Sequence, residues 1–162
     1  WSHIMTEIQT AVYVHSKFGR LQLHFQNGVL VQVDLPFKPA FQGQLTELPP
    51  EWQDKLDAYF TGQLRDFDCP ISPLGTEHDA KVWQAMVAIP YGQTRTYGDI
   101  AKEIGSAAQA VGNACGRNPL PIIIPCHRIV GGSGIGGFSG SRGDETVSIK
   151  QWLLQHERAH AH

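Results

Sequence analysis

The stretch YGDIAKEIGSAAQAVGNACG, Tyr97 to Gly116, decides how the C-terminal half of the chain folds. A short helix over Tyr97–Ile104 is ended by Gly105. Ser106 is placed to cap a second helix, running from Ala107 to about Gly116, whose residues are mostly small: Ala107, Ala108, Ala110, Gly112 and Ala114. Two short helices joined by a tight Gly-Ser turn have the layout of a helix-turn-helix. An ordinary helical hairpin gives the same pattern, and no basic face separates the two readings.

Moving outward, Thr76-Glu77-His78-Asp79 has capping-box spacing and opens an upstream helix. Val82, Trp83, Met86, Val87 and Ile89 form its expected buried face, and Pro90-Tyr91-Gly92 stops it. Downstream, Asn118-Pro119 ends the second small helix. Ile122-Ile123-Ile124 reads as a brief apolar strand, halted by Pro125 and followed at once by Cys126-His127-Arg128. A glycine-dense loop follows, from Gly131 to Gly140. Thr146–Glu157 then forms a closing helix whose expected buried residues are Ile149, Trp152, Leu153 and Leu154. The first third reads differently. Ala11–Phe18 and Leu21–Gln26 alternate apolar and polar residues about a turn at Gly19-Arg20, and Asn27-Gly28 signals a hairpin into Val29–Leu35. After a proline-rich loop, Glu51–Phe60 is a short amphipathic helix ended by Gly62. Asp68–Gly75 reads as a linker, giving an N-terminal α/β domain over 5–70 and a second domain over 76–160. Trp1-Ser2-His3-Ile4 ahead of Met5 reads as a cloning remnant outside the fold.

Composition narrows the function classes. With 41% hydrophobic and 17% charged residues in 162, the chain is globular in character. No apolar run approaches the ~18 residues of a membrane span, and no secretory leader is evident. Three cysteines (Cys69, Cys115, Cys126) without paired spacing argue against a disulfide framework or a cysteine-rich zinc site, and point to a reducing, cytoplasmic location. No metal or cofactor is expected, and the histidines at 156, 160 and 162 read as a frayed tail. The net charge of −2 argues mildly against nucleic-acid binding. Residues 76–145 balance six basic against six acidic side chains, so any DNA contact must come from local placement.

The chemistry concentrates at Cys126. A buried cysteine is ordinarily a small inert hydrophobe, which is the expectation for Cys69 and Cys115. Cys126 sits instead between a proline that fixes the backbone and a titratable imidazole and guanidinium. The thiolate is the attacking species, and a nearby base or cation increases its share. His127 can be that base. Adjacent side chains seldom point the same way, so a bridging water is expected between sulfur and ring. Glu157 can orient the ring, and Arg128 can serve a structural ion pair. A structural histidine remains the alternative.

Pro125-Cys126-His127-Arg128, preceded by Asn118-Pro119 and an isoleucine-rich segment, resembles the active-site signature of the O6-alkylguanine-DNA alkyltransferases, the methylated-DNA–protein-cysteine methyltransferases. Val82-Trp83, Ile89 through Thr94, Tyr97 with Ile100-Ala101, Ala110-Val111-Gly112, Ser139 within Gly136–Gly140, and Trp152-Leu153-Leu154 with His156-Glu157 resemble the same family in the same order. The likeness spans about residues 76–157; over 5–70 only the general layout is similar. It implies an α+β fold, with a small N-terminal β-sheet plus helix in a ribonuclease H-like layout and a C-terminal helical, winged-helix-like domain.

The implied activity is DNA repair by irreversible, stoichiometric transfer of the alkyl group of O6-alkylguanine, and of O4-alkylthymine, onto Cys126 after nucleotide flipping. The resemblance makes His127 the proton acceptor through water and Glu157 its orienter. It makes Tyr97 a hydrogen-bond donor to the extruded base and Asn118 a brace for the active-site backbone. Ser139 would contact the base, while Pro121 and Cys115 would line the pocket. Gln109, Ala110, Gly112, Thr94 and Arg128 would lie on the DNA side. The implied partner is double-stranded DNA approached from the minor groove, with little sequence preference. The protein is expected to act as a monomer, with cooperative binding along DNA left open. One position departs from the family: an arginine usually precedes Ala-Val-Gly, filling the space of the flipped nucleotide, and here it is Gln109. Weaker DNA affinity or slower repair of duplex substrates is expected. Two rivals stand: a non-catalytic lesion sensor, disfavoured because Cys126 is present, and a cysteine–histidine hydrolase, disfavoured because no oxyanion-hole motif is evident.

Overall fold

The structure, a computed structural model, describes residues 7–67, 75–132 and 144–161. The chain divides into two compact units, Trp1–Pro73 and Leu74–His162. In the first, β1 (Ile8–His15), β2 (Gly19–Gln26) and β3 (Val29–Asp34) form an antiparallel sheet in the order β1-β2-β3. Asn27 and Gly28 both have positive φ, 53° and 78°, the backbone of the tight hairpin that Asn-Gly favours because its twist matches that of the strands. The first turn falls at residues 16–18, ahead of the expected Gly19-Arg20, so that Gly19 and Arg20 begin β2 and Ala11 pairs with Leu23. His24 ties the three strands, with Nδ1 2.7 Å from Thr10 Oγ1 and Nε2 2.9 Å from Asp34 Oδ2. α1 (Pro50–Phe60) starts on a proline, whose missing N–H costs nothing in a first turn. It buries Trp52, Leu56, Tyr59 and Phe60, and Tyr13 Oη donates to Asp57 at 2.9 Å.

The second unit is helical. α2 (Glu77–Val87) begins with the expected capping box, Thr76 Oγ1 accepting from Asp79 N and the Asp79 carboxylate accepting from Thr76 N. Val82, Trp83 and Met86 are buried as expected, whereas Val87 is 54% exposed. The helix ends there, and Ile89 in the following turn takes the inward position. β4 (Arg95–Thr96) leads into α3 (Tyr97–Ile104), which ends at Gly105 with φ 72°, the left-handed conformation that glycine adopts without strain. α4 (Ala108–Gly116) follows. Ser106 does not cap it: Ala107 is the N-cap, and Ser106 Oγ is 2.8 Å from His78 Nε2 of α2. Trp83 Nε1 donates to Ala114 O at 3.0 Å, and Arg117 grips the buried Asp79 carboxylate through Nε at 3.1 Å and Nη2 at 2.6 Å. α2 therefore holds α4 at both ends and in the middle.

Residues 122–124 do not form a strand. Ile122 has φ 76°, an uncommon conformation for a β-branched residue, and Ile124 N closes a turn on Leu120 O at 2.8 Å. A three-residue 3-10 turn over Cys126–Arg128 comes next. β5 (Ile129–Val130) then pairs in parallel with β4, Arg95 against Ile129 and Thr96 against Val130. α5 (Asp144–Ala159) closes the unit. The helix takes in His156, one of the histidines read as frayed, with Trp152 stacking on it at 5.0 Å, and His160 just beyond the helix end meets His156 at 4.6 Å. The glycine segment 134–140 with Ser139, and Cys69 with the linker up to residue 74, lie outside the described residues. Among the described residues, no helix is long and apolar enough to cross a membrane, and no group of three His, Cys, Asp or Glu side chains could hold a metal ion.

Candidate active site

Pro125 fixes the chain ahead of the 3-10 turn that carries Cys126, His127 and Arg128. In a strand, successive side chains point to opposite faces. At three residues per turn they are instead rotated by roughly 120°, so His127 and Arg128 can reach one partner. That partner is Glu157 on α5. His127 Nε2 lies 2.8 Å from Glu157 Oε2. Arg128 Nε donates to Oε1 at 2.8 Å and Arg128 Nη2 donates to Oε2 at 3.1 Å. Arg128 Nη1 also donates to Ile89 O at 2.9 Å, and its guanidinium carbon lies 5.6 Å from the Tyr91 ring centroid. Cys126, His127, Arg128 and Glu157 are all buried. Arg128 thus corrects its placement among DNA contacts: its donors are engaged inside the protein and it is 2% exposed.

Burial sets the charge states. Removal from water pushes the His127 imidazole below its ordinary pKa, outweighing the opposite pull of Glu157, while Arg128 and Lys150 add to the lowering. The ring is therefore neutral at pH 7. Burial alone would raise the Glu157 carboxyl, but the His127 contact and the Arg128 fork outweigh it and hold the carboxyl well below the usual carboxylate range. The charged, bidentate Arg128 guanidinium holds the carboxyl low even beside a neutral imidazole. An ionised Glu157 accepts from Nε2–H, which fixes the tautomer and leaves Nδ1 as the basic nitrogen of the ring.

Asn118, at the end of α4, is buried. Its Nδ2 donates to Ile124 O at 2.9 Å and its Oδ1 accepts from Leu120 N at 2.9 Å. One amide therefore closes the loop that delivers Pro125 and Cys126, and Pro121 is buried inside that loop. Cys115 is a free thiol, 6% exposed. Burial, aided by neighbouring Cys126, pushes it well above the ordinary cysteine pKa, so it stays protonated. Tyr97, the first residue of α3, is half-buried, and its ring approaches the α4 backbone, 4.0 Å from where a Cβ on Gly112 would lie. On α4, Val111, Ala114 and Cys115 face inward. Gln109 and Asn113 are exposed, and Ala110 and Gly112 are half-exposed. Thr94 is half-exposed before β4. The outer face of α4 therefore presents small side chains around two amides, Gln109 and Asn113.

Two features escaped the sequence reading. Thr96 and Asp99 form a second capping box at the start of α3, legible in retrospect from the Thr-x-x-Asp spacing. Lys150 is fully buried, and its position on the inward stripe of α5 was the available signal.

Comparison with known proteins places this geometry. The profile of the 6-O-methylguanine DNA methyltransferase DNA-binding domain matches residues 77–159. A methylated-DNA–protein-cysteine methyltransferase of Mycolicibacterium paratuberculosis is 41% identical over 157 residues, covering 91% of this chain and 92% of its own. The crystal structure of Mycobacterium tuberculosis O6-methylguanine methyltransferase matches with a TM-score of 0.83 at 35% identity over 96% of each chain. That of M. tuberculosis OGT in complex with DNA matches at 0.78 and 36% identity, over 94% of this chain and 93% of its own. Such identity, sustained across nearly the full length and accompanied by the same fold, leaves one assignment: the chain belongs to the methylated-DNA–protein-cysteine methyltransferase family.

Proposed function

We propose that this protein repairs DNA by taking the alkyl group of O6-alkylguanine onto Cys126, once per molecule. The observation that carries the reading is the buried His127–Glu157 contact immediately beside the acceptor cysteine. With Nε2–H directed at an ionised carboxylate, the imidazole is a neutral base whose other nitrogen can take the thiol proton through a water. The sulfur then attacks the alkyl carbon in line. The S–C bond forms as the C–O6 bond breaks, and the electron pair leaves with guanine. Tyr97 is the phenol suited to hydrogen-bond the departing base, which needs a proton to leave as neutral guanine. Arg128 keeps Glu157 ionised and fixed. The lesion lies inside the stacked duplex, so the nucleotide must be rotated out to reach the thiol. The small outer face of α4 suits close approach to the backbone in the minor groove, where Gln109 would stand in the vacated position. A thioether has no easy hydrolytic exit, so the thiol is not regenerated.

The test is intact-mass analysis after incubation with duplex DNA carrying O6-methylguanine. The expected result is a gain of one methyl per chain, located on Cys126 and absent from Cys126→Ser. Binding without mass gain would make the protein a sensor, and multiple turnovers would overturn stoichiometric transfer.

A further inference from the structure

The end of α5 carries a pattern that alkyl transfer does not use. Residues 156–160 read His-Glu-Arg-Ala-His, the H-E-x-x-H spacing that in zinc proteases sets two imidazoles on one helical face with a glutamate as general base. The structure separates the two parts of that pattern. Glu157 is buried and its carboxylate is taken up by His127 and Arg128, so it cannot act as a base toward anything bound at the histidines. His156 and His160 are only half-buried, with ring centroids 4.6 Å apart. Both rings are held. His160 Nδ1 lies 2.8 Å from His156 O; a carbonyl only accepts, so Nδ1 carries the proton and Nε2 the lone pair. A backbone acceptor behind the ring is the support that metal-binding histidines commonly have. His156 stacks on Trp152, centroids 5.0 Å apart and planes 10° from parallel, which fixes the plane of its ring. The backbone beneath is ordered as well. His160 N donates to Glu157 O at 3.2 Å, and Ala161 packs so closely on Gly92 that a Cβ added there would come within 2.4 Å of the Ala161 Cβ.

We propose that His156 and His160 form a binding site for a divalent late transition metal ion such as zinc, with water completing the coordination. A metal–nitrogen bond of about 2.1 Å puts the ion roughly 3 Å from each ring centre, so rings 4.6 Å apart subtend roughly a right angle at it. That angle suits neighbouring positions of a tetrahedral or tetragonal ion. Imidazole nitrogen selects zinc, nickel and copper over magnesium and calcium, which seek oxygen. The location helps too. α5 runs for 16 residues and ends at Ala159, so a cation held there sits at the negative end of the helix dipole. With both rings already oriented, little ordering remains to be done on binding. Because Glu157 is committed to the acceptor turn, the bound ion has no base beside it, and the site is structural rather than hydrolytic. Its effect is to clamp the last turn of α5 against unfolding, since the folded chain binds the ion better than the unfolded one. The site lies beyond the alkyl-transfer reading and draws on neither Cys126 nor His127.

The test titrates the metal-free protein with zinc chloride while nitrogen–proton NMR follows each imidazole and indole separately, in wild type, His156→Asn and His160→Asn. In wild type, the His156 and His160 signals should move together and saturate near one equivalent, with the Trp152 indole following. Magnesium chloride should leave all three in place. Either substitution removes the chelate, so the zinc affinity read at the remaining histidine should fall at least tenfold. The zinc-dependent rise in melting temperature should disappear with it. Histidine signals that move independently of each other, or not at all, would reject the site, as would an affinity that survives both substitutions. Should a variant fail to fold, the wild-type titration decides alone, because only a shared ion moves the two rings in step. Transfer of methyl from O6-methylguanine DNA is scored separately by intact mass, so a failure of the repair reading leaves the metal site standing and the reverse holds as well.

Discussion

The carboxylate of Glu157 satisfies an imidazole and a guanidinium at once, so both charge balance and acid–base readiness depend on it. Glu157→Gln keeps the shape but leaves the Arg128 guanidinium without a counter-charge in a buried site. A loss of about 3 kcal/mol or more is expected in denaturant unfolding, together with slower alkyl transfer because His127 loses its orienting acceptor. The pH dependence follows from the two displaced groups. His127 is held below its ordinary 6.5 in the folded protein, so the unfolded chain binds that proton first. Its contribution is complete above about pH 6.5 and is lost as pH falls. Glu157 is held below its ordinary 4.5, and its contribution is lost on further acidification beneath that value. The melting temperature should therefore begin to drop near pH 6.5 and steepen below about 4.5. A His127→Asn variant should be flatter than wild type between pH 7.5 and 5.5; an identical slope would show that His127 is not buried as a neutral ring.

At the level of elements, the loop from Asn118 to Pro125 is pinned by the Asn118 side chain together with the turn from Leu120 O to Ile124 N. Asn118→Ala leaves the buried Leu120 amide without its acceptor and the Ile124 carbonyl with only the Cys126 N–H as donor. At about 1–3 kcal/mol for the orphaned amide, the variant should lose roughly that much in chemical denaturation. It should lose repair rate as well, because the same loop aims Cys126. Gly105→Ala isolates backbone strain, since nothing lies within 4 Å of the added Cβ. A cost of about 1 kcal/mol is expected from the left-handed φ, with little change in repair. The sequence foretold α3 and the α2 capping box because local signals (a terminal glycine, a Thr-x-x-Asp pair) agreed with tertiary packing. It misjudged residues 122–124, where three isoleucines have strand propensity but Asn118 bends the chain and Ile122 takes a positive φ. A side chain four positions upstream overrode local preference there, as tertiary context does. Ser106 was misplaced for a related reason: its hydroxyl found His78, a partner distant in sequence. The Cys126, His127 and Glu157 cluster was legible as residues, but the 3-10 turn that lets His127 and Arg128 share one carboxylate was not.

For the molecule as a whole, a net charge of −2 means that no broad positive field draws DNA in, and affinity must rest on a few local contacts. Gln109 is exposed on α4, where a longer cation could reach phosphate or an orphaned base. Gln109→Arg should raise the transfer rate on duplex substrates, leave transfer from the free alkylated base nearly unchanged, and make the salt dependence of binding steeper by about one unit of slope. Equal rates on duplex DNA for both proteins would remove Gln109 from the interface. The two-residue ladder between β4 and β5 carries a consequence of its own. Thr96 is followed directly by Tyr97, and Ile129 comes three residues after Cys126, so this one short pairing acts as the gauge between phenol and sulfur. Lengthening either side by a single residue would leave every functional group chemically intact yet out of reach of its counterpart, and the protein would be folded but mute.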